Sequence, residues 1–368
     1  MPKPRSSLRD APDNPKPSAS LSTRAAIWPR LALVALIPVV ICALFAWAWG
    51  IFSPERLSPD TLVNALEKTG GVHPGYRRNH AKGICVAGYF EANGNASTIS
   101  KASVFRQGRT PVIGRFAIAG DNPNAPDGAV PVRSLALQFK TADGQEWRTG
   151  MNALPFFSVS TPQGFLAQQQ AAQPDPATGK PDPAKMQAFL AAYPQARPFF
   201  SWVKQYVPTS SWASDSFNSL NAFRFIDAQG TSHNVRWSMV TQTAATPISA
   251  ADKANPLFLQ HDLQQRLSLA PLKWNLIITL ADKNDLTTDA TKAWPDNRQK
   301  INAGTLVLTS SQEQDVGHCR DINYDPLVLP NGIAGSDDPL LSARSAAYST
   351  SFNRRTHEEA QAHQGAGL

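Results

Sequence analysis

Apolar residues are spread along the chain in two contrasting ways. From Leu31 to Phe52 they form a run of 22 residues without a charge, which as a helix spans about 33 Å, enough to cross a bilayer. A buried core helix is rarely apolar on every face for so long. A cleaved signal peptide, for which Ala46 and Ala48 would offer a site, usually has a shorter leader and a shorter apolar run. Residues 31–52 are therefore expected to be a transmembrane anchor, with 1–30 a disordered tail ahead of it. Beyond the anchor, short β-branched and aromatic stretches at 84–90, 112–119, 134–141, 156–160, 222–227, 235–240, 274–281 and 305–310 read as strands. Turns at Asp143-Gly144, Gln229-Gly230 and Asn331-Gly332 punctuate them. Ser58 as N-cap, Pro59 at the first helical position and the closing Gly70-Gly71 predict a short helix, and 184–193 and 256–269 also read as helical. The segment 173–183 is a Pro-rich surface loop. Strands joined by uneven, partly helical connections predict an α+β body built on a large antiparallel sheet or barrel.

Charge sharpens this division. The net charge is +7, and residues 1–30 hold six basic and two acidic side chains, which leaves the body close to neutral. A nucleic-acid binder would place its Lys and Arg on the folded part, so that class is excluded. The basic leader instead orients the anchor: it faces the cytoplasm, the body lies on the other side, and Trp47 and Trp49 mark the outer interface. Localisation is thus expected to be a cytoplasmic membrane, single-pass, with the body extracytoplasmic. The three cysteines, Cys42, Cys85 and Cys319, have no C-x-x-C spacing and allow at most one bridge in the body, Cys85 to Cys319.

No G-x-S-x-G, H-E-x-x-H, Walker or G-x-G-x-x-G string occurs, so serine hydrolase, zinc protease, P-loop and Rossmann chemistry lose their usual support. Two clusters remain. One is Tyr76-Arg77-Arg78-Asn79-His80-Ala81-Lys82-Gly83, just before a strand; read by itself it is a basic loop with a histidine. The other is Arg344, Tyr348 and Asn353-Arg354-Arg355. On a helix Arg344 and Tyr348 share a face, with Arg355 further along that side. A guanidinium beside a phenol favours the phenolate, a hard anionic ligand for ferric iron; read by itself this pair is also an ordinary surface Arg–Tyr contact. His318-Cys319 reads as a connecting loop, and His233, His261, His357 and His363 as surface or structural residues.

The ordered series N-H-A-K-G (79–83), T-P-V-I-G-R-F-A-I-A-G (110–120), R-S-L-A-L-Q-F-K-T-A-D-G (133–144), G-M-N-A-L-P-F-F (150–157), K-A-W-P (292–295), G-T-L-V-L (304–308) and R-x-x-x-Y (344–348) resembles the haem catalase family. It is most similar to the small catalase-related peroxidases, whose catalase core is shortened. The resemblance covers 57–356, with 357–368 left as a tail, and it implies a catalase-like antiparallel β-barrel core with surrounding helices. It implies haem b (iron protoporphyrin IX) as cofactor. His80 then matches the distal base that takes a proton from peroxide and returns it to the leaving oxygen, and Asn152 the distal amide that orients peroxide. Tyr348 matches the proximal iron ligand, tyrosine being the catalase arrangement, and Arg344 the residue that keeps it ionised. Arg77, Arg115 and Arg355 match the arginines that pair with the haem propionates, and Phe165 the aromatic stacked on the macrocycle.

The chain also departs from the family. Ala117 stands where a serine usually bonds the distal histidine, so His80 has to be oriented by something else. Thr350 replaces an aspartate two residues past the tyrosine. Asn79 replaces a valine ahead of the histidine and is expected to make the distal side more polar and less constrained. The activity implied is reduction of hydrogen peroxide or organic peroxides with an external electron donor, with weak catalase turnover. Two readings stay open beside it: a tethered haem- or lipid-binding barrel without catalysis, and a lipid hydroperoxide isomerase. The donor and homo-oligomerisation are left open.

Overall fold

The structure is a computed structural model that describes the backbone of residues 21–48 and 57–365 and the side chains of 34–47 and 57–362. It comprises two units, Met1–Arg56 and Leu57–Leu368. In the first, helix α1 runs Leu21–Ala48, so residues 21–30, expected as a disordered tail, are helical; residues 1–20 lie outside the described residues. Among the described residues no helix is long and apolar enough to cross a membrane. Of the expected 31–52 span, the side chains of 31–33 and 48 and residues 49–52 lie outside the described residues. Within the described part of that span Val34, Leu36, Ile37, Phe45 and Trp47 are all exposed.

The second unit carries ten strands: β1 (Gly83–Ala92), β2 (Gly108–Ile118), β3 (Arg133–Lys140), β4 (Glu146–Asn152), β5 (Phe217–Asn218), β6 (Phe223–Ile226), β7 (Ser232–Thr241), β8 (Leu272–Leu280), β9 (Lys300–Glu313) and β10 (Ile333–Gly335). Every pairing is antiparallel. The order β7-β5-β4-β3-β2-β1-β9-β8 closes through a β7–β8 pairing into a barrel, and β6 and β10 extend the sheet beyond β7. Closure removes the exposed edges that an open sheet of this size would present. The body carries seven helices: α2 (Pro59–Gly70), α3 (Pro162–Ala172), α4 (Pro183–Ala192), α5 (Arg197–Gln205), α6 (Ala250–Ala254), α7 (Phe258–Leu269) and α8 (Pro339–Gly365).

Strand alternation decides which side chains fill the barrel and which face outward. Leu135, Leu137 and Phe139 of β3 point in, as do Trp147 and Met151 of β4, Trp237 of β7 and Trp274 of β8; together with Phe116 they form the main core. Phe139 stacks on Trp147 at 4.7 Å between ring centres and Phe116 on Trp212 at 5.5 Å. The outward face carries the chemistry. Cys85, Arg115, Ala136 and Gly150 lie opposite one another across β1–β4, and so, two residues along, do Ala117, Ser134 and Asn152. Opposed residues in an antiparallel sheet share a face, so each row is a line of adjacent positions.

Several expectations change. The stretch 156–160 is irregular chain leading into α3 rather than a strand, because Phe157 and Val159 pack with Phe165, Phe189 and Ala196 in a separate apolar cluster formed with α3–α5. Strand β4, which carries Asn152, lacks the apolar density that marks the other strands. The C-terminal stretch expected as a tail instead continues α8 to Gly365. It is held there by Glu358 on Arg78 and Glu359 on Arg320. Cys85 and Cys319 form a disulfide that fastens the 314–323 loop to β1 across 234 residues of sequence.

Candidate active site

A cavity of about 210 Å³ lies on the outward face of β2–β4, with α2, α3 and α8 around it. All eight residues singled out from the sequence line it: Arg77, His80, Arg115, Asn152, Phe165, Arg344, Tyr348 and Arg355. The rest of the wall is mainly apolar, including Leu62, Val63 and Leu66 of α2, Met151, Phe157, Leu220, Leu340 and Phe352.

Helix α8 brings one stripe of the wall. Asp338 caps it by accepting from Leu340 N at 2.9 Å, and no glycine or proline interrupts it before Gly365. The 3–4 spacing then aligns Leu340, Arg344, Tyr348, Phe352 and Arg355 toward the cavity. Arg344 donates to Gly150 O at 3.2 Å and to the Asn221 side-chain oxygen, and its Nη2 lies 3.4 Å from the Tyr348 hydroxyl. Asn221 is held in turn by buried Asp338, at 2.8 Å. A Cβ on Gly150 would stand 3.3 Å from Arg344 Nη2 and 3.6 Å from the Tyr348 hydroxyl, so both side chains pack directly on β4 at this position.

Arg77, Arg115 and Arg355 form a group of cations, Arg115 and Arg355 buried and Arg77 half-buried. Arg77 Nη2 donates to three backbone carbonyls, Cys319, Arg320 and Ile322, at 2.9–3.1 Å. Arg115 donates to the Gln314 side chain and to the carbonyls of His80 and Ala81. These acceptors satisfy hydrogen bonds without cancelling charge. Burial first, and then mutual repulsion, push Arg77 down to about 10 and Arg115 well below the usual guanidinium range. Arg355 is lowered by burial as well, and its Nη2 has no partner; Asp321, 3.8 Å from Arg355, is itself 66% exposed. The adjacent Arg78 is the contrast: Glu67 at 2.7 Å and Glu358 neutralise it, and it joins α2 to α8.

His80 sits in the left-handed region, φ 56°, which a non-glycine residue adopts only when its surroundings hold it there. Asn79 does so: its side-chain oxygen accepts from His80 N at 2.8 Å and from Gly120 N at 3.0 Å. Asn79 therefore pins the backbone of the histidine, where the sequence suggested a loosened distal side. The ring nitrogen Nδ1 lies 3.1 Å from Ser134 Oγ. Burial, with Arg115 next, pushes the imidazole down to about 4, so it is an unprotonated base at neutral pH. Ser134, Asn221 and Tyr324 are members of the wall that the sequence did not single out. Tyr324 is buried beside Arg77, and its hydroxyl has no partner.

The comparisons accord with this geometry. Residues 72–362 match the sequence family described as Catalase. The chain belongs to the catalase family. It is 38% identical over 331 residues, 89% of its length and 96% of the relative's, to a catalase-related peroxidase of Synechococcus elongatus. It is 32% identical over 305 residues to a catalase-related peroxidase of Mycolicibacterium paratuberculosis, covering 82% of this chain and 95% of that one. Among solved structures a fungal catalase superposes with a TM-score of 0.69 at 20% identity, over 77% of this chain and 59% of its own. This last likeness concerns the fold, and the small catalase-related subgroup is where the chain's length fits.

Catalases bind haem, and the cavity fits that group on its own evidence. An apolar slot bordered by stacked Phe157 and Phe165 (6.2 Å) suits a macrocycle. The buried, uncompensated guanidinium groups and the orphaned Arg355 Nη2 suit its carboxylates. The Tyr348 oxygen, with Arg344 beside it, is a hard oxygen donor suited to ferric iron. Among the described residues no cluster of His, Cys, Asp and Glu offers an alternative metal site.

The depressed His80 makes an acid-stability prediction. An unfolded histidine protonates near 6.5, whereas the folded ring resists until about pH 4. The stability that comes from keeping it neutral is complete above about pH 6.5 and is lost as the pH falls toward 4. Urea midpoints of the protein at pH 7 and pH 4.5 should therefore differ more for the wild type than for His80→Gln. An equal acid loss in both would contradict the assignment.

Proposed function

We propose that the protein is a haem b peroxidase reducing hydrogen peroxide or organic peroxides at the expense of an external electron donor. Membership of the catalase family makes it an oxidoreductase acting on peroxide. The observation that carries the finer reading is the convergence of a neutral, held imidazole, a distal amide and an Arg-supported tyrosine on one apolar cavity.

Haem bound here would supply the iron chemistry that cleaves the peroxide O–O bond. The chain would do the rest. Tyr348 would hold the iron from α8, with Arg344 beside its oxygen. Arg77, Arg115 and Arg355 would pair with the propionates, and Phe165 would border the macrocycle. Asn152 orients the peroxide by hydrogen bonding, while the apolar wall excludes water. His80 would accept a proton from one peroxide oxygen and deliver it to the departing oxygen, which leaves as water or an alcohol, the two electrons coming in the end from the external donor. Tyr348→Phe should abolish high-spin ferric absorbance and weaken haem retention. His80→Ala should keep the haem but slow peroxide cleavage by about 10²–10⁴-fold, the usual weight of a positioned acid–base group. Oxidation of a dye donor with little oxygen release is expected from the wild type. Rapid oxygen release without dye oxidation would overturn the peroxidase assignment.

We also propose that residues 31–52 anchor the enzyme in the cytoplasmic membrane with its catalytic body outside. The charge-free run behind a basic leader supports this, as does the Cys85–Cys319 disulfide, a bond suited to an oxidising compartment. The full-length protein should remain in the membrane pellet after alkaline carbonate washing and be released when 31–52 is deleted; wild type in the wash would contradict the anchor.

A further inference from the structure

We infer that Ser134 is the residue that positions His80 for proton transfer, reaching it from the strand beside the position where the family's serine would stand. Ala117 of β2 has no hydroxyl, and its register partner on β3 is Ser134. The two share the outward face of the sheet, so a side chain at 134 addresses nearly the same space as one at 117. Ser134 Oγ lies 3.1 Å from His80 Nδ1 and 3.5 Å from the Ala117 carbonyl oxygen.

The second contact leaves Oγ free to accept at the ring. A serine hydroxyl has one hydrogen and two lone pairs. With its hydrogen directed at the Ala117 carbonyl, Oγ accepts from His80 Nδ1–H. The imidazole is then the Nδ1–H tautomer, and Nε2 is the bare nitrogen that takes the peroxide proton. When Nε2 is protonated, the Nδ1–H to Ser134 bond acquires a charged donor and strengthens; return of that proton to the leaving oxygen restores the starting tautomer. Asn79 and Ser134 divide the work: Asn79 fixes the strained backbone of His80, and Ser134 fixes the ring and its hydrogen. Ser134 is a positioning residue, since it acts through the histidine.

This inference rests on His80 as the proton carrier of the proposed peroxidase, but its first readout needs neither haem nor peroxide. Nitrogen-15 NMR of the haem-free protein at pH 7, with His80 assigned by comparison with His80→Gln, should give a single Nδ1–H tautomer. Ser134→Ala should give a mixture, and Ser134→Thr, which keeps the hydroxyl, a single tautomer. In the haem-loaded enzyme Ser134→Ala should slow peroxide cleavage by about 10–100-fold, the cost of a misplaced catalytic group, with the haem spectrum unchanged. An Nε2–H tautomer in the wild type, or an unaltered tautomer and rate in Ser134→Ala, would overturn the inference. Loss of the peroxidase reading would show separately, as His80→Ala turning over at the wild-type rate.

Discussion

Three guanidinium groups gathered against an apolar wall, two of them fully buried, are the constraint around which the rest of the molecule is arranged. Arg77 and Arg115 are held by carbonyls and an amide, which fix their geometry but leave their charge, and Arg355 lies over Phe352 with one nitrogen unpartnered. Buried uncompensated charge is expensive, so the fold must hold these groups rigidly until an anion compensates them. Each comes from a different element: the segment between α2 and β1, strand β2, and the last turns of α8. The 314–323 loop that receives Arg77 is itself tied to β1 by Cys85–Cys319. The Arg78 ion pairs with Glu67 and Glu358 draw α2 and α8 together beside the cavity.

The barrel contributes flatness and register. Its inner face takes the tryptophans and phenylalanines, and its outer face presents small residues where the site lies. Arg344 and Tyr348 pack directly on β4 at Gly150, and Ser134 is small enough to sit under the imidazole while bonding it. The separate cluster of α3–α5 closes another side with Phe157 and Phe165. An apolar enclosure strengthens every charge interaction inside it, and for the same reason His80 stays neutral.

Much of the site was legible because its residues sit in short strings whose order resembles a known family, so Tyr348, Arg344, His80 and the three arginines Arg77, Arg115 and Arg355 could each be numbered. The barrel was legible as a class from β-branched runs. What was not legible depended on pairing. Strand β4 alternates Trp, Thr and Met with polar residues and has too little apolar density to stand out. Ser134 became visible only through the β2–β3 register, which no local pattern specifies, whereas the Asp143-Gly144 turn announces only the next hairpin. The role of Asn79 was hidden in a backbone angle, whereas the Cys85–Cys319 pair was named from the cysteine count and only its closure across 234 residues had to come from the fold.

If buried cationic charge is what the site is built to satisfy, the carboxylates of the cofactor matter as much as its iron. The direct measurement is the urea midpoint of the soluble body (residues 54–368), or of the detergent-solubilised full chain should that part not fold alone, with and without one equivalent of haem or of its dimethyl ester, which keeps the ring and iron but has no carboxylates. Ligands that bind only the folded state raise stability in proportion to their affinity. The account predicts a large upward shift with haem and a much smaller one with the ester. Equal shifts would show that Arg77, Arg115 and Arg355 do not hold the propionates and would contradict it.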